Sequence, residues 1–230
     1  MKKIGILGGM SPESTVHYYE KIVHDFTARF GTHGYPEIII YSVTFEPYIH
    51  WQESGQWDVM AEDMIKASQR LQAAGADFIV IATNTMHKLV NEVQAPINIP
   101  ILSMLDVVAE AILAQGLHTV ALLGTMYTMV DGFYVDGLEK HGLTVLVPDP
   151  ADRQLVHDVI FGELIKGDVL PESKLHYVEI IEKLAAKGAE GVVLGCTEIP
   201  MLIQNGDVSI PIFDTTDIHA ASALNYALKD

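Results

Sequence analysis

The sequence predicts an α/β protein of two pseudo-symmetric lobes made by internal duplication. Each lobe is expected to be a short, mostly parallel sheet flanked by helices, with an active site in the cleft between them. Three observations lead there. Gly75-Ala-Asp-Phe-Ile-Val-Ile-Ala82-Thr83-Asn84-Thr85 aligns without a gap on Gly188-Ala-Glu-Gly-Val-Val-Leu-Gly195-Cys196-Thr197-Glu198, at an offset of 113 residues. The opening pattern returns at His118 to Met126, where Gly8 meets Gly124 and Met10 meets Met126 at an offset of 116. Ile99-Pro100-Ile101 recurs as Ile210-Pro211-Ile212, and Asp106 as Asp217, both at an offset of 111. The blocks keep their order, so each half reads strand, helix, strand, helix, strand, helix, strand. The boundaries fall at 1–104 plus 215–230 for the first lobe and 105–214 for the second.

Composition narrows the function classes. The 230 residues carry 49% hydrophobic side chains, enough for a sizeable core. No apolar run approaches the ~20 residues of a membrane-spanning helix. A net charge of −16 and a pI near 4.8 argue against nucleic acid or an anionic membrane as partner. An acidic ligand would have to be held by local dipoles and a few chosen cations. One cysteine cannot close an internal disulfide, which fits a reducing, cytoplasmic location.

Taken in order, Lys3 to Leu7 is a first strand rather than a leader, since Ile4 to Met10 holds three glycines and no small-residue cleavage site. Ser11 and Pro12 then open a helix to about Phe30. Gly5, Gly8 and Gly9 lack dinucleotide-site spacing, and no acidic residue ends the next strand, Glu37 to Val43. A tight turn is expected at Gly8-Gly9, one that also lets backbone approach a small anion. Thr44 to Trp57, rich in aromatic and polar groups, is expected to be a loop forming a substrate wall. A helix from Val59 to Ala74 leads to the first corner, where Asn84 or Thr85 caps the next helix. Pro96 to Ile101 gives a short strand and Leu105 to Gln115 a helix. The last helix, Asp217 to Leu228, is expected to pack back on the first lobe.

The chemistry rests on the corners. A lone cysteine commonly packs as a small hydrophobe. Cys196, however, ends a buried strand beside a helix N-terminus, in a corner the chain builds twice. A pseudo-two-fold axis would set Thr83 and Cys196 on opposite sides of one ligand. Two opposed proton carriers across a tetrahedral carbon suit racemisation without a cofactor. A thiol near its ordinary pKa of ~8.5 is a weak base for an α-carbon, so preorganised amides after each corner must stabilise the enediolate. The same dipoles are expected to favour the thiolate.

Four stretches together resemble the aspartate/glutamate racemase family over essentially the whole chain. They are Gly8-Gly9-Met10-Ser11-Pro12-Glu13-Ser14-Thr15, Asn84-Thr85-Met86-His87, Gly124-Thr125 with Thr128-Met129, and Gly195-Cys196-Thr197-Glu198. The resemblance implies a cofactor-independent, two-lobed amino-acid racemase that forms a homodimer. Family members carry a cysteine at each corner. Here Thr83 replaces the first, and no arginine lies in the Thr44–Trp57 wall. Both departures resemble the subgroup specific for L-aspartate and L-glutamate, with Cys196 abstracting the α-proton and reprotonation from the Thr83 face. Carried over, the substrate-binding positions are Asn84, Thr85, Thr125 and Thr197, with Gln52 and Lys166 near the substrate. Met10 and Glu198 complete the expected site, and His87 is left between a polarising and a capping role. The histidines show no metal-ligand spacing, so neither metal nor cofactor is expected. The alternatives are a one-cysteine decarboxylase or cis–trans isomerase of the same superfamily, and a non-catalytic amino-acid-binding module.

Overall fold

The computed structural model describes residues 1–229 and is an α/β fold with two parallel sheets flanked by helices. Contacts divide the chain into two compact units, Met1–Met104 with the segment from Thr216 onward, and Leu105–Thr215. The first unit runs β1 (Ile4–Gly8), α1 (Pro12–Phe30), β2 (Ile38–Ser42), α2 (Phe45–Glu53), α3 (Trp57–Ala73) and β3 (Phe78–Ile81). A 3-10 turn (Thr85–Leu89), α4 (Val90–Gln94) and α5 (Met104–Ala114) follow. The second unit holds β4 (Thr119–Gly124), α6 (Met126–Val130), α7 (Phe133–Glu139), β5 (Thr144–Leu146) and α8 (Pro150–Gly162). Beyond a 3-10 turn (Leu164–Lys166) lie α9 (Pro171–Ala186), β6 (Gly191–Gly195), α10 (Ile199–Leu202) and β7 (Ile212–Asp214), and α11 (Thr215–Leu228) returns to the first unit.

The two sheets repeat one topology. The first is ordered β2-β1-β3 and the second β5-β4-β6-β7, with every pairing parallel. The central strands are buried along their whole length, as all-parallel sheets covered on both faces require. Each fully buried Ile or Leu there contributes about 1.5–3 kcal/mol.

The structure corrects the reading from sequence at two elements. Thr44–Trp57 is not a loop: most of it is α2. Phe45, Tyr48 and Trp51, three apart, turn one helical face to the core, and Tyr48 is 1% exposed. Pro47 is tolerated because it sits in the first turn, where its missing N–H has no intrahelical partner. Pro96–Ile101 is not a strand but leaves one bridge, Ile79 to Ile101, where the second unit has β7. Pro100 accepts from the Ile79 amide at 2.9 Å but has no N–H to extend a ladder.

Local signals otherwise act as expected. Ser11, in extended backbone, accepts from the Ser14 amide at 3.3 Å; Pro12 follows, and left-handed Gly31 closes α1. Asp149 and Pro150 start α8 the same way. The Lys2 amide donates to Ala227, Arg29 donates to Asn225, and Phe78 packs on Tyr226, so α11 belongs with the first unit. No helix among the described residues is long and apolar enough to cross a membrane.

The Gly8-Gly9 turn is shaped by close packing. The Gly9 amide donates to the Thr15 hydroxyl at 2.8 Å, so it is already engaged. A Cβ on Gly9 (φ +90°) would lie 2.3 Å from the Val43 carbonyl oxygen. At Gly31 (φ +66°) nothing lies within 4 Å of an added Cβ. Gly31→Ala should therefore cost only the left-handed backbone penalty of about 1–2 kcal/mol. Gly9→Ala should cost clearly more, because β2 must also move. Urea midpoints of the two variants test this, and equal midpoints would show that Val43 gives way freely.

Candidate active site

In each unit the corner residues leave the C-terminal edge of the sheet, where open parallel sheets collect ligand-binding groups. Gly124 and Gly195 lie opposite each other in register, so Thr125 and Cys196 leave neighbouring strands at the same level. In the first unit Leu7 faces Ile81, and the Ala82 amide continues the ladder to the Leu7 carbonyl at 2.9 Å. Met10 and Thr83 therefore leave adjacent strands.

Cys196 is a free thiol, 8% exposed, with its body among the apolar side chains of the second core. It donates to Glu198 Oε2 at 2.9 Å. Burial is the largest influence on it and pushes the thiol well above its ordinary pKa. The Glu198 carboxylate pushes the same way by charge and by accepting the thiol proton. The Glu198 and Thr197 amides are aimed at the sulfur and pull downward, as expected from sequence, but they lose. The resting group is therefore a thiol and not the thiolate the strand-end dipole suggests. α10 has only four residues, so its dipole is small beside a carboxylate at hydrogen-bond distance. Tyr177 backs the sulfur; its hydroxyl donates to the Val156 carbonyl at 2.8 Å, and burial first, then Cys196, raises its pKa.

Thr83 is partly exposed, while Asn84 and Thr85 are buried at 3% and 8% exposure. Asn84 occupies the N-cap position of the 3-10 turn but makes no side-chain capping bond. The corner is tied by its carbonyls: the Ser14 hydroxyl donates to Ala82 at 2.9 Å, and His87 Nδ1 meets the Thr83 carbonyl at 2.9 Å. Met104 N–H donates to His87 Nε2 at 3.2 Å. With both ring nitrogens engaged, His87 is held as a neutral brace.

The remaining expected residues divide by unit. Met10, 4% exposed, packs into the first core with Tyr48 and Met60. Gln52 stands half-buried in the last turn of α2. Thr125 caps α6 and accepts from the Thr128 amide at 3.4 Å. Lys166 is exposed on the 3-10 turn that packs against α10, the helix opened by Glu198. Thr197 is half-buried beside Cys196. Four polar groups escaped the sequence reading: Ser14, Thr215, His157 and His219. The Thr215 hydroxyl donates to the Leu194 carbonyl at 2.9 Å, one residue before the position equivalent to Ala82, to which Ser14 donates. The Met126 amide donates to His157 Nδ1 at 3.2 Å, and burial lowers the pKa of that imidazole. Only the serine, in the first turn of α1, carried any local signal. Among the described residues, no three His, Cys, Asp or Glu side chains gather as a metal site would require.

The sequence profile of the Asp/Glu/Hydantoin racemase family matches residues 7–223. The chain belongs to that family. Among curated proteins it is 26% identical to the broad specificity amino-acid racemase RacX of Bacillus subtilis (strain 168), covering 96% of each chain. Among solved structures it resembles a candidate Asp/Glu racemase from Yersinia pestis, at 43% identity with a TM-score of 0.95, and both chains are fully covered. An aspartate racemase homologue from Pyrococcus horikoshii OT3 is 41% identical with a TM-score of 0.89, again over both whole chains. The two-sheet architecture is thus that of the racemase family.

For this family member the Cys196–Glu198 contact makes a prediction that requires no substrate. Charge and hydrogen bonding from Glu198 both raise the thiol pKa, so Glu198→Gln should lower it. The pH profile of iodoacetamide alkylation, read by mass spectrometry on the single cysteine, should move to lower pH in the variant. An unmoved or upward-moved profile would show that Glu198 does not control the thiol.

Proposed function

We propose that this chain is a cofactor-independent amino-acid racemase acting on L-aspartate or L-glutamate. In this reading Cys196 removes the α-proton and the Thr83 face returns one. The observation that carries it is the Cys196 thiol 2.9 Å from Glu198 Oε2, with two backbone amides aimed at the sulfur. The similarity to RacX and to the Yersinia and Pyrococcus structures supports the same reaction class.

The proton balance starts from a protonated thiol. Its proton passes along the short hydrogen bond to Glu198, and the thiolate takes the proton from the L-face of the α-carbon. A thiolate in a dry pocket is a stronger base than one in water, which suits a weakly acidic α-carbon. The carbanion spreads into the carboxylate as an enediolate, held by Asn84, Thr85, Thr125 and Thr197 as preorganised donors. A proton then arrives on the Thr83 side, drawn from water through the Thr83 hydroxyl, and Glu198 returns the proton it took to water, which resets the site. Gln52 and Lys166 hold the side-chain carboxylate against the repulsion of a chain carrying −16. Met10 contributes apolar wall. The lack of a thiol at Thr83 favours one alternative, a one-thiol decarboxylase or isomerase, which carbon dioxide release from a malonate would reveal.

Cys196→Ser should abolish α-deuterium exchange into L-aspartate in D2O, followed by NMR, because serine cannot form the base at neutral pH. Exchange retained within a few-fold would remove Cys196 from the mechanism. Replacing Gln52 or Lys166 by alanine should weaken acidic substrates selectively, by about 1.5–3 kcal/mol for one charge-assisted hydrogen bond. Equal losses for aspartate and alanine as substrates would show that neither residue reads the distal carboxylate. Thr83→Cys should raise the initial rate on D-aspartate above that of the parent, since a hydroxyl cannot act as a resting base near neutrality. Equal D and L initial rates in the parent would make another group the proton carrier on that face.

A further inference from the structure

Two buried imidazoles that the mechanism leaves unused stand behind Thr83. His219, on α11, is 0% exposed; His87, on the 3-10 turn after Thr83, is 2% exposed. Their rings lie edge to face with centroids 5.7 Å apart. Partner chemistry fixes the proton on each. His87 Nδ1 lies 2.9 Å from the Thr83 carbonyl, which only accepts, so Nδ1 carries the hydrogen; Nε2 then accepts the Met104 amide at 3.2 Å. His219 Nε2 lies 2.9 Å from the Leu102 carbonyl and must donate, so Nδ1 accepts from the Tyr18 hydroxyl at 2.7 Å. The two rings are neutral and of opposite tautomer. Burial first, and His87 second, depress the pKa of His219 to about 3, in keeping with a ring that never charges near neutrality.

Together these bonds grip one short stretch. His219 holds the carbonyl of Leu102 and His87 the amide of Met104, while the other edge of His87 holds the carbonyl of Thr83. Met104 is the residue at which the chain leaves the first unit, and α11 is the helix by which it returns. Ser14 pins the preceding carbonyl, Ala82. With both carbonyls fixed, the Thr83–Asn84 peptide plane is fixed, and the Asn84 N–H must point opposite to the Thr83 carbonyl. The β-branched Thr83 side chain has few χ1 choices on a fixed backbone, so the direction of its hydroxyl follows.

We propose that His87 and His219 are positioning residues: a pair of neutral imidazoles that orient the Thr83 hydroxyl and the Asn84 amide by clamping the corner to the Leu102–Met104 stretch. This rests on the reading that Thr83 works on the substrate face opposite Cys196. The clamp should therefore govern inversion more than proton removal. The diagnostic quantity is the ratio of inversion to α-deuterium exchange from L-aspartate in D2O.

In His87→Leu, with neither donor nor acceptor, that ratio should fall by on the order of tenfold, the scale of a small misplacement of a reacting group. His87→Asn, whose amide can reach the Thr83 carbonyl in place of Nδ1–H, should recover most of it. His219→Leu should act in the same direction, with rescue by His219→Gln, whose amide reaches where Nε2–H did. An unchanged ratio in His87→Leu would overturn the proposal. So would equal loss of exchange and inversion with no rescue by asparagine, which would mark a purely structural role. Should His87→Leu fail to fold, His87→Asn and nitrogen-15 spectra of the imidazoles in the parent still decide. Those spectra should show Nδ1–H on His87 and Nε2–H on His219, and the reverse assignment would sink the clamp. Absence of any exchange in the parent would instead remove the proposed reaction, while the tautomers would still report on the clamp by themselves.

Discussion

A parallel strand buried on both faces must leave its sheet through a corner, and at that corner the last carbonyl oxygens lose their ladder partners. An unpaired buried carbonyl costs about as much as a lost hydrogen bond, so each corner has to find a donor. The chain finds it twice by similar means, one residue apart in the repeat. Ser14 donates to Ala82 after β3, and Thr215 donates to Leu194 at the end of β6. The serine comes from the first turns of α1 and the threonine from the first residue of α11. The position of each reactive corner therefore depends on a hydroxyl from an element far from it in sequence. Glycine makes the close approach possible: a Cβ on Gly124 would sit 2.8 Å from the carbonyl oxygen of Gly195.

On this common frame the two corners differ in electrostatics. Cys196 has an acid partner at 2.9 Å, and burial holds its proton in place. Thr83 is backed by neutral, fully engaged imidazoles. In the proposed mechanism the Cys196 corner passes a proton to and fro, while the Thr83 corner holds an orientation. A duplicated fold has in this way acquired two unlike ends without changing its sheet order.

The duplication made the corners legible in the sequence, because register in a parallel sheet follows from apolar runs and glycines that a reader can align. Gly75 on Gly188 and Thr83 on Cys196 are local patterns, and they lead to β3 and β6. α2 was missed: Phe45, Tyr48 and Trp51 keep helical spacing, but polar residues between them masked the period. What could not be read are contacts that depend on how elements stack. His219 meets Tyr18 across 201 positions, and Thr215 meets Leu194 across 21. No spacing rule connects such pairs before the fold exists. The raised thiol pKa is of the same kind. The dipole that lowers it is visible from sequence, whereas the burial that outweighs it is a property of the packed core.

A raised thiol pKa is at first sight a poor feature in a base. Each unit upward makes the thiolate 1.36 kcal/mol dearer to form and returns only a fraction of that as extra basicity. With nothing else in the pocket, burial would therefore slow the reaction on balance. The calculation changes when the ligand brings a cation. An α-ammonium group placed nearer the sulfur than the carboxylate favours the one negative charge of the Cys196–Glu198 pair on the thiolate. The thiolate then forms only with substrate bound, in a site where its basicity is not blunted by water. On this argument the Glu198 carboxylate serves as proton acceptor, and the ammonium biases where the shared charge rests. A ligand carrying both an ammonium and a carboxylate on one carbon supplies that bias, and a simple carboxylic acid does not. The pairing that makes the resting thiol inert is, in the proposed mechanism, what selects an amino acid.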